Sequence, residues 1–266
     1  MHIVASEQIH VSLPAETIFQ IGGFPITNSM MVLAVAYAIV ITLFVHTVRA
    51  IKQKKRSRLA VGVQWMFEGL LGTIEEVMGD KQQARRVAPL AITMFFLIVF
   101  GYWLGLLPVV GAVKWNDAEL FRGGITDLNF TFALAIITMV SVQVYAIRTH
   151  GIFGNAKRYF INPLKDPAHS FEGILELIAE FSRGTALSLR LFGNVFAGEV
   201  LIAVIAFLSK MLTPVSQPFF LAFELFIGLI QAYVFFMLTI VFISLGAQKA
   251  HHDEEGSGHS REAAHS

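Results

Sequence analysis

Arg190 lies in the run Leu187-Ser188-Leu189-Arg190-Leu191-Phe192-Gly193-Asn194, which is otherwise apolar enough to sit in lipid. A guanidinium does not lose its proton, and one at the bilayer centre costs roughly 2.5–3.5 kcal/mol on insertion scales. Such a residue is normally retained for an ion path or a buried partner. At about 100° per residue, Glu176, Arg183 and Arg190 recur every seven positions in one helical stripe; Asn194 extends the arginine face, and Glu199 points to the opposite side. In the last apolar segment Glu224, Gly228 and Gln231 share a face, which sets a carboxyl and an amide about 10 Å apart along one groove. If the two segments fold as a hairpin, Glu224 comes near Glu199. Two carboxyls at membrane depth do not both stay ionised, because desolvation and mutual repulsion favour the protonated form of at least one. An acid that takes and releases protons inside a membrane is what a proton relay requires, so charge translocation is the chemistry these residues suggest.

Each group also has a plainer reading. Arg190 could pair with Glu176 or snorkel, and Glu199 and Glu224 could be neutral acids bonded to Gln231. Glu176, Glu180 and Arg183 could form an interfacial ion-pair network. Asp127 and Asn129 could cap a helix as readily as mark a channel mouth. Gly101 and Gly105, a small-xxx-small pair, are most simply a helix contact, and Gly193, Ala197 and Gly198 would let another helix approach closely. The chain has no cysteine, which excludes disulfides and thiolate sites. No phosphate-binding loop, zinc-protease helix or nucleophile elbow is present, so no energy source or hydrolytic site of its own is expected.

The elements that must position these residues follow from composition. Hydrophobic residues make up 55% of the 266-residue chain and charged residues 15%, with a mean hydropathy of +0.63, which indicates an all-α polytopic membrane protein. The N-terminus lacks the basic region and cleavage site of a signal peptide, so the first apolar segment is expected to be a retained helix, with residues 1–27 an external segment before it. Membrane spans are expected at about 28–48, 88–108 and 128–147. Between the first two, residues 59–79 carry Val63, Met66, Phe67, Leu70, Leu71, Ile74, Val77 and Met78 at helical spacing, an amphipathic helix on the cytoplasmic surface. Basic residues at 49–58, 81–86 and 148–165 set those sides as cytoplasmic, and the loop 109–127, with only Lys114 and Arg122, as external.

The pattern then runs over 170–209 and 217–247, roughly 60 and 45 Å as helix against a hydrocarbon core near 30 Å. These helices must kink, at Gly184, Gly193 or Gly228, or lie strongly tilted, and a long tilted hairpin is the expected form. About five membrane helices and one integral membrane domain over 28–247 result. Residues 248–266 are polar and patternless, a disordered cytoplasmic tail whose His251-His252 pair could bind a metal, with a solvated tail or an expression remnant the favoured reading.

Leu189-Arg190-Leu191-Phe192-Gly193-Asn194, with Ala197-Gly198-Glu199 after it and Gln231-Ala232-Tyr233-Val234-Phe235 in the last helix, resembles subunit a of the F-type ATP synthase membrane sector. Asp127-Leu128-Asn129-Phe130-Thr131 is similar to the family as well, and the order of elements matches from about 28 to 247. The resemblance implies a non-catalytic stator facing a ring of c subunits, in a bacterial plasma membrane, with the N-terminus external and the C-terminus cytoplasmic. Arg190 matches the family's essential arginine, which draws each passing ring carboxylate into its ionised form and separates two offset proton half-channels. Asn194 and Gln231 match polar residues beside it; Glu199 and Glu224 match the external half-channel, with Asp127 near its mouth, and Glu176 matches the cytoplasmic half-channel. In some relatives one of the Glu199 and Glu224 positions is histidine, and where the family often has a small hydroxyl residue this chain has Ala186. Implied partners are the c-subunit ring, peripheral-stalk b subunits, other ATP synthase subunits, membrane lipid and translocated protons. Neither a cofactor nor a nucleic-acid partner is implied. Coupling to sodium instead of protons stays open, because the ring's binding site sets it.

Overall fold

The computed structural model describes residues 17–22, 24–54, 57–107, 114–115, 118–119, 122–159, 167–209 and 213–247. Residues 1–16 of the expected external segment 1–27, and the tail 248–266, lie outside the described residues. Six α-helices dominate: α1 (Asn28–Lys52), α2 (Arg58–Met78), α3 (Lys81–Gly105), α4 (Leu128–Tyr159), α5 (Pro167–Ser209) and α6 (Thr213–Ala247). All but α2 are long and apolar enough to cross a membrane. Two small antiparallel hairpins, β1–β2 (Thr17–Ile21, Phe24–Thr27) and β3–β4 (Lys114–Trp115, Ala118–Glu119), and a 3-10 turn at Gly124–Thr126 complete the described chain.

The boundaries follow local chemistry. Gly79 ends α2 at φ +69°, a conformation that only glycine takes readily, and Asp80 starts α3 by accepting a 2.8 Å hydrogen bond from the Gln82 N–H. This Gly-Asp corner begins α3 seven residues before the expected span at 88, because hydropathy sees the apolar part of a helix and not its polar first turns. Pro89 inside α3 leaves the Arg85 carbonyl without its usual donor, and Tyr145 of α4 donates to the neighbouring Arg86 carbonyl at 2.8 Å. Helix α4 runs past the expected end at 147 and is broken at Gly151, where φ is +74°. Neither α5 nor α6 is broken at Gly184, Gly193 or Gly228. With 43 and 35 residues these helices are about 65 and 52 Å long, well over the thickness of a hydrocarbon core. Ser209 closes the turn between them, 3.0 Å from the Ser216 hydroxyl and 3.3 Å from that of Thr213.

Helix α3 is the hub. It packs against α1, α2 and α6, and its residues from Ala84 to Tyr102 include thirteen that are buried. Phe95 and Phe96 lock it edge-to-face to Phe236 of α6 and Phe44 of α1, with centroids 6.1 and 5.4 Å apart. The apolar stripe of α2 buries Val63, Leu70 and Ile74 towards this hub, so much of the expected surface helix is seated on the bundle, while Leu59, Val61 and Trp65 remain exposed. Helix α5 touches α4 and α6 through a thin stripe, Leu187, Ser188, Leu191, Val195 and Gly198, and exposes most of its other side chains.

The segment expected to be an external loop returns into the bundle at its end. Arg122, Gly123, Gly124, Ile125 and Thr126 are all buried. Gly101 and Gly105 of α3 make room for this turn rather than for a helix alone: a Cβ on Gly101 would lie 3.1 Å from Ile125, and one on Gly105 would lie 3.0 Å from the Gly123 Cα.

Candidate functional site

Arg190 points away from the bundle. Its neighbours Leu187, Ser188 and Leu191 turn inward, with Ser188 donating to Thr131 of α4 at 3.1 Å, and the same helical phase leaves the Arg190 side chain exposed. Fourteen residues of unbroken helix separate Arg190 from Glu176, about 21 Å along the axis, so the direct ion pair considered from the sequence is out of reach. Arg183 lies with its guanidinium 5.7 Å from the Phe242 ring centroid of α6. One turn beyond Arg190, the Asn194 side-chain amide donates to Gln231 Oε1 at 2.6 Å and ties α5 to α6 at the border of the exposed face.

Behind that border lies a buried polar cluster. Glu224, Gly228 and Gln231 share the inward face of α6, with Glu224 only 2% and Gln231 4% exposed. Glu224 accepts a hydrogen bond from the Tyr102 hydroxyl of α3, and Tyr102 is itself 2% exposed. Any Cβ at Gly198 would overlap the Glu224 carboxyl, so the acid occupies a notch in α5 that glycine opens one residue before Glu199. Glu199 is half-buried, with Oε1 against Gly123 of the re-entrant turn, where a Cβ would lie 2.6 Å away. The hairpin therefore brings both acids to one region, as their spacing suggested.

Asp127 stands at the edge of this region. Its carboxylate accepts from the Asn129 N–H at 3.0 Å and from the Ser29 hydroxyl of α1 at 2.9 Å, so it caps α4 and also links α1 to the turn. Glu176 is half-buried on α5, apart from the cluster. Glu180, one turn on, accepts from the Gln143 amide at 2.6 Å across an apolar groove between α4 and α5. Among the described residues, no three His, Asp or Glu side chains come together as metal ligands.

Sequence reasoning misses two buried polar residues, Tyr102 in this cluster and Arg122 in the re-entrant turn. Tyr102 is 122 residues from Glu224, and its signal is a phenolic hydroxyl in a largely apolar span. Arg122, expected as a charge of an external loop, is 7% exposed. Chemically the arrangement offers carboxyls, a phenol and an amide pair in an apolar setting, beside a permanent cation on an outer helix face.

Five long apolar helices around ionisable groups define a multi-span helical membrane protein whose polar interior is held between its last two helices and α3. The family model described as ATP synthase A chain matches residues 29–244. An ATP synthase subunit a of Mycobacterium ulcerans is 33% identical over 235 residues, covering 85% of this chain and 90% of the relative. One from Mycobacterium tuberculosis is 35% identical over 198 residues (72% and 77%), and one from Listeria monocytogenes is 32% identical over 228 residues (83% and 91%). The chain belongs to the ATP synthase subunit a family.

Proposed function

We propose that this chain is the non-catalytic stator of a rotary ATP synthase, passing protons through two offset half-channels and coupling their flow to rotation of a c-subunit ring. The observation that carries the reading is the exposed Arg190 on α5, one turn from the Asn194–Gln231 bridge, in a bundle that buries Glu224 further along the same hairpin. A cation on the outer face of a membrane helix is costly in lipid and favourable against a partner carboxylate. A ring acid arriving at Arg190 is drawn into its ionised form, and the fixed positive charge blocks protons from crossing directly between half-channels.

Glu199 and Glu224 serve the external half-channel, with Asp127 near its mouth. Glu176 serves the cytoplasmic one. Asn194 and Gln231 fix the geometry around Arg190 by holding α5 and α6 together. Each proton crossing 100 mV releases about 2.3 kcal/mol, so several steps drive one nucleotide synthesis on a separate catalytic head. The partners are the c-ring, peripheral-stalk b subunits and other synthase subunits. The setting is a bacterial plasma membrane, with the N-terminus external and the C-terminus cytoplasmic.

The test is ATP-driven acidification of inverted membrane vesicles carrying the assembled complex, native against Arg190→Ala at matched subunit content. Loss of pumping with assembly intact is expected. Undiminished pumping overturns the role of Arg190.

A further inference from the structure

We propose that Tyr102 is a positioning residue of the proton path: its hydroxyl, donated to Glu224, fixes that carboxyl in the notch at Gly198 and so sets the direction in which the acid exchanges protons. The inference rests on Glu224 being part of the path, as proposed above, and adds a residue from a third helix to it.

Three observations converge. The phenol and the carboxyl are each 2% exposed, so neither exchanges its partner for bulk water, and the hydroxyl is aimed at the acid. The Tyr102 ring lies against Gly228, one turn beyond Glu224 on α6, where a Cβ would sit 2.5, 2.7 and 2.9 Å from three ring atoms. On the far side the Glu224 carboxyl occupies the space that Gly198 leaves in α5. Two glycines on different helices thus shape a slot that runs from the ring of Tyr102 to the carboxyl of Glu224, and the hydrogen bond crosses it. Trp103, the next residue of α3, donates its indole N–H to the Leu225 carbonyl at 3.1 Å, which pins α3 to α6 at the same level.

A buried carboxyl with one oxygen occupied by a donor has its other oxygen left for exchange. Removing the hydroxyl while keeping the ring leaves the Gly228 packing intact and changes only the orientation of the acid.

The experiment compares native, Tyr102→Phe and Glu224→Gln chains in the full complex, in inverted vesicles, by the pH profile of ATP-driven pumping and of passive proton conduction. Tyr102→Phe is expected to assemble normally and to lower proton conduction several-fold across the pH profile, because the Glu224 carboxyl loses the donor that orients it. A second variant, Gly198→Ala, pushes the carboxyl out of its notch and is expected to lower conduction several-fold with Tyr102 in place. If Glu224→Gln abolishes conduction and Tyr102→Phe keeps the native profile, the role of Tyr102 is overturned while the path through Glu224 stands. If Glu224→Gln conducts like the native chain, the path itself is wrong and Tyr102 loses its role with it.

Discussion

Replacing Gly228 by alanine is a one-carbon change with opposing effects of known size. In an exposed helix interior it would stabilise, because alanine exceeds glycine by about 0.8–1 kcal/mol in helix propensity. At Gly228 the new methyl would meet Tyr102 Cδ1 at 2.5 Å, Cγ at 2.7 Å and Cε1 at 2.9 Å, all well inside van der Waals contact. Cγ belongs to the root of a buried ring that cannot swing into open space, so α3 and α6 must separate or the ring must leave Glu224. Overpacking of this kind costs about 1–3 kcal/mol, and breaking a hydrogen bond to a buried acid adds about 1.5–3 kcal/mol if the ring gives way. Net of the helix-propensity gain, the expectation is destabilisation by about 0–2 kcal/mol if the helices separate and about 1.5–5 kcal/mol if the ring gives way. Thermal unfolding of the purified chain in mild detergent, followed by tryptophan fluorescence, measures it. Gly69→Ala on α2, where an added Cβ meets nothing within 4 Å, is the control and should be neutral or stabilising. A Gly228→Ala chain as stable as that control would refute the interlock of Tyr102, Gly228 and Glu224.

Three further outcomes are expected. A double-mutant cycle with Asn194→Leu and Gln231→Leu should return a coupling of about 0.5–1.5 kcal/mol from their 2.6 Å hydrogen bond, read from the same melts; additive effects would mean that the two amides act independently. Asp127→Ala removes both the α4 cap and the acceptor for Ser29, and should cost about 1–3 kcal/mol, of which Asp127→Asn should restore part. Gly79→Ala forces a side chain into φ +69° and should cost about 1–2 kcal/mol, whereas Gly62→Ala should cost nothing; equal melts for the two would contradict the left-handed corner.

What the sequence made legible divides by the range of the interaction. The inward face of Glu224, Gly228 and Gln231 was readable because helical periodicity is local, and the same rule placed Glu199 away from Arg190. The five spans and the amphipathic α2 were readable from hydropathy, since lipid demands it over every stretch of about twenty residues. The early start of α3 was not, because Asp80 and Gly79 signal it through capping chemistry rather than through apolar content. The hairpin at Thr17–Thr27 escaped because β1 is short and β2 contains Pro25, which weakens a strand signal. Tyr102 and the re-entrant turn at 122–126 depend on contacts between distant segments, for which one chain offers no periodic cue. Gly101 and Gly105 were noticed for their spacing, yet what they admit is the backbone of a turn.

That turn also constrains the order in which the molecule can be built. Gly123 is covered by Glu199, so the pocket that receives residues 122–126 is complete only when α5 is in place, some seventy residues further along the chain. During synthesis α1 and α3 emerge early and present Leu33, Gly101 and Gly105 as an open seat. The turn can settle there, but its lid arrives last. A chain cut before α5 would therefore insert its first spans and still leave Gly123 without the Glu199 side chain that covers it.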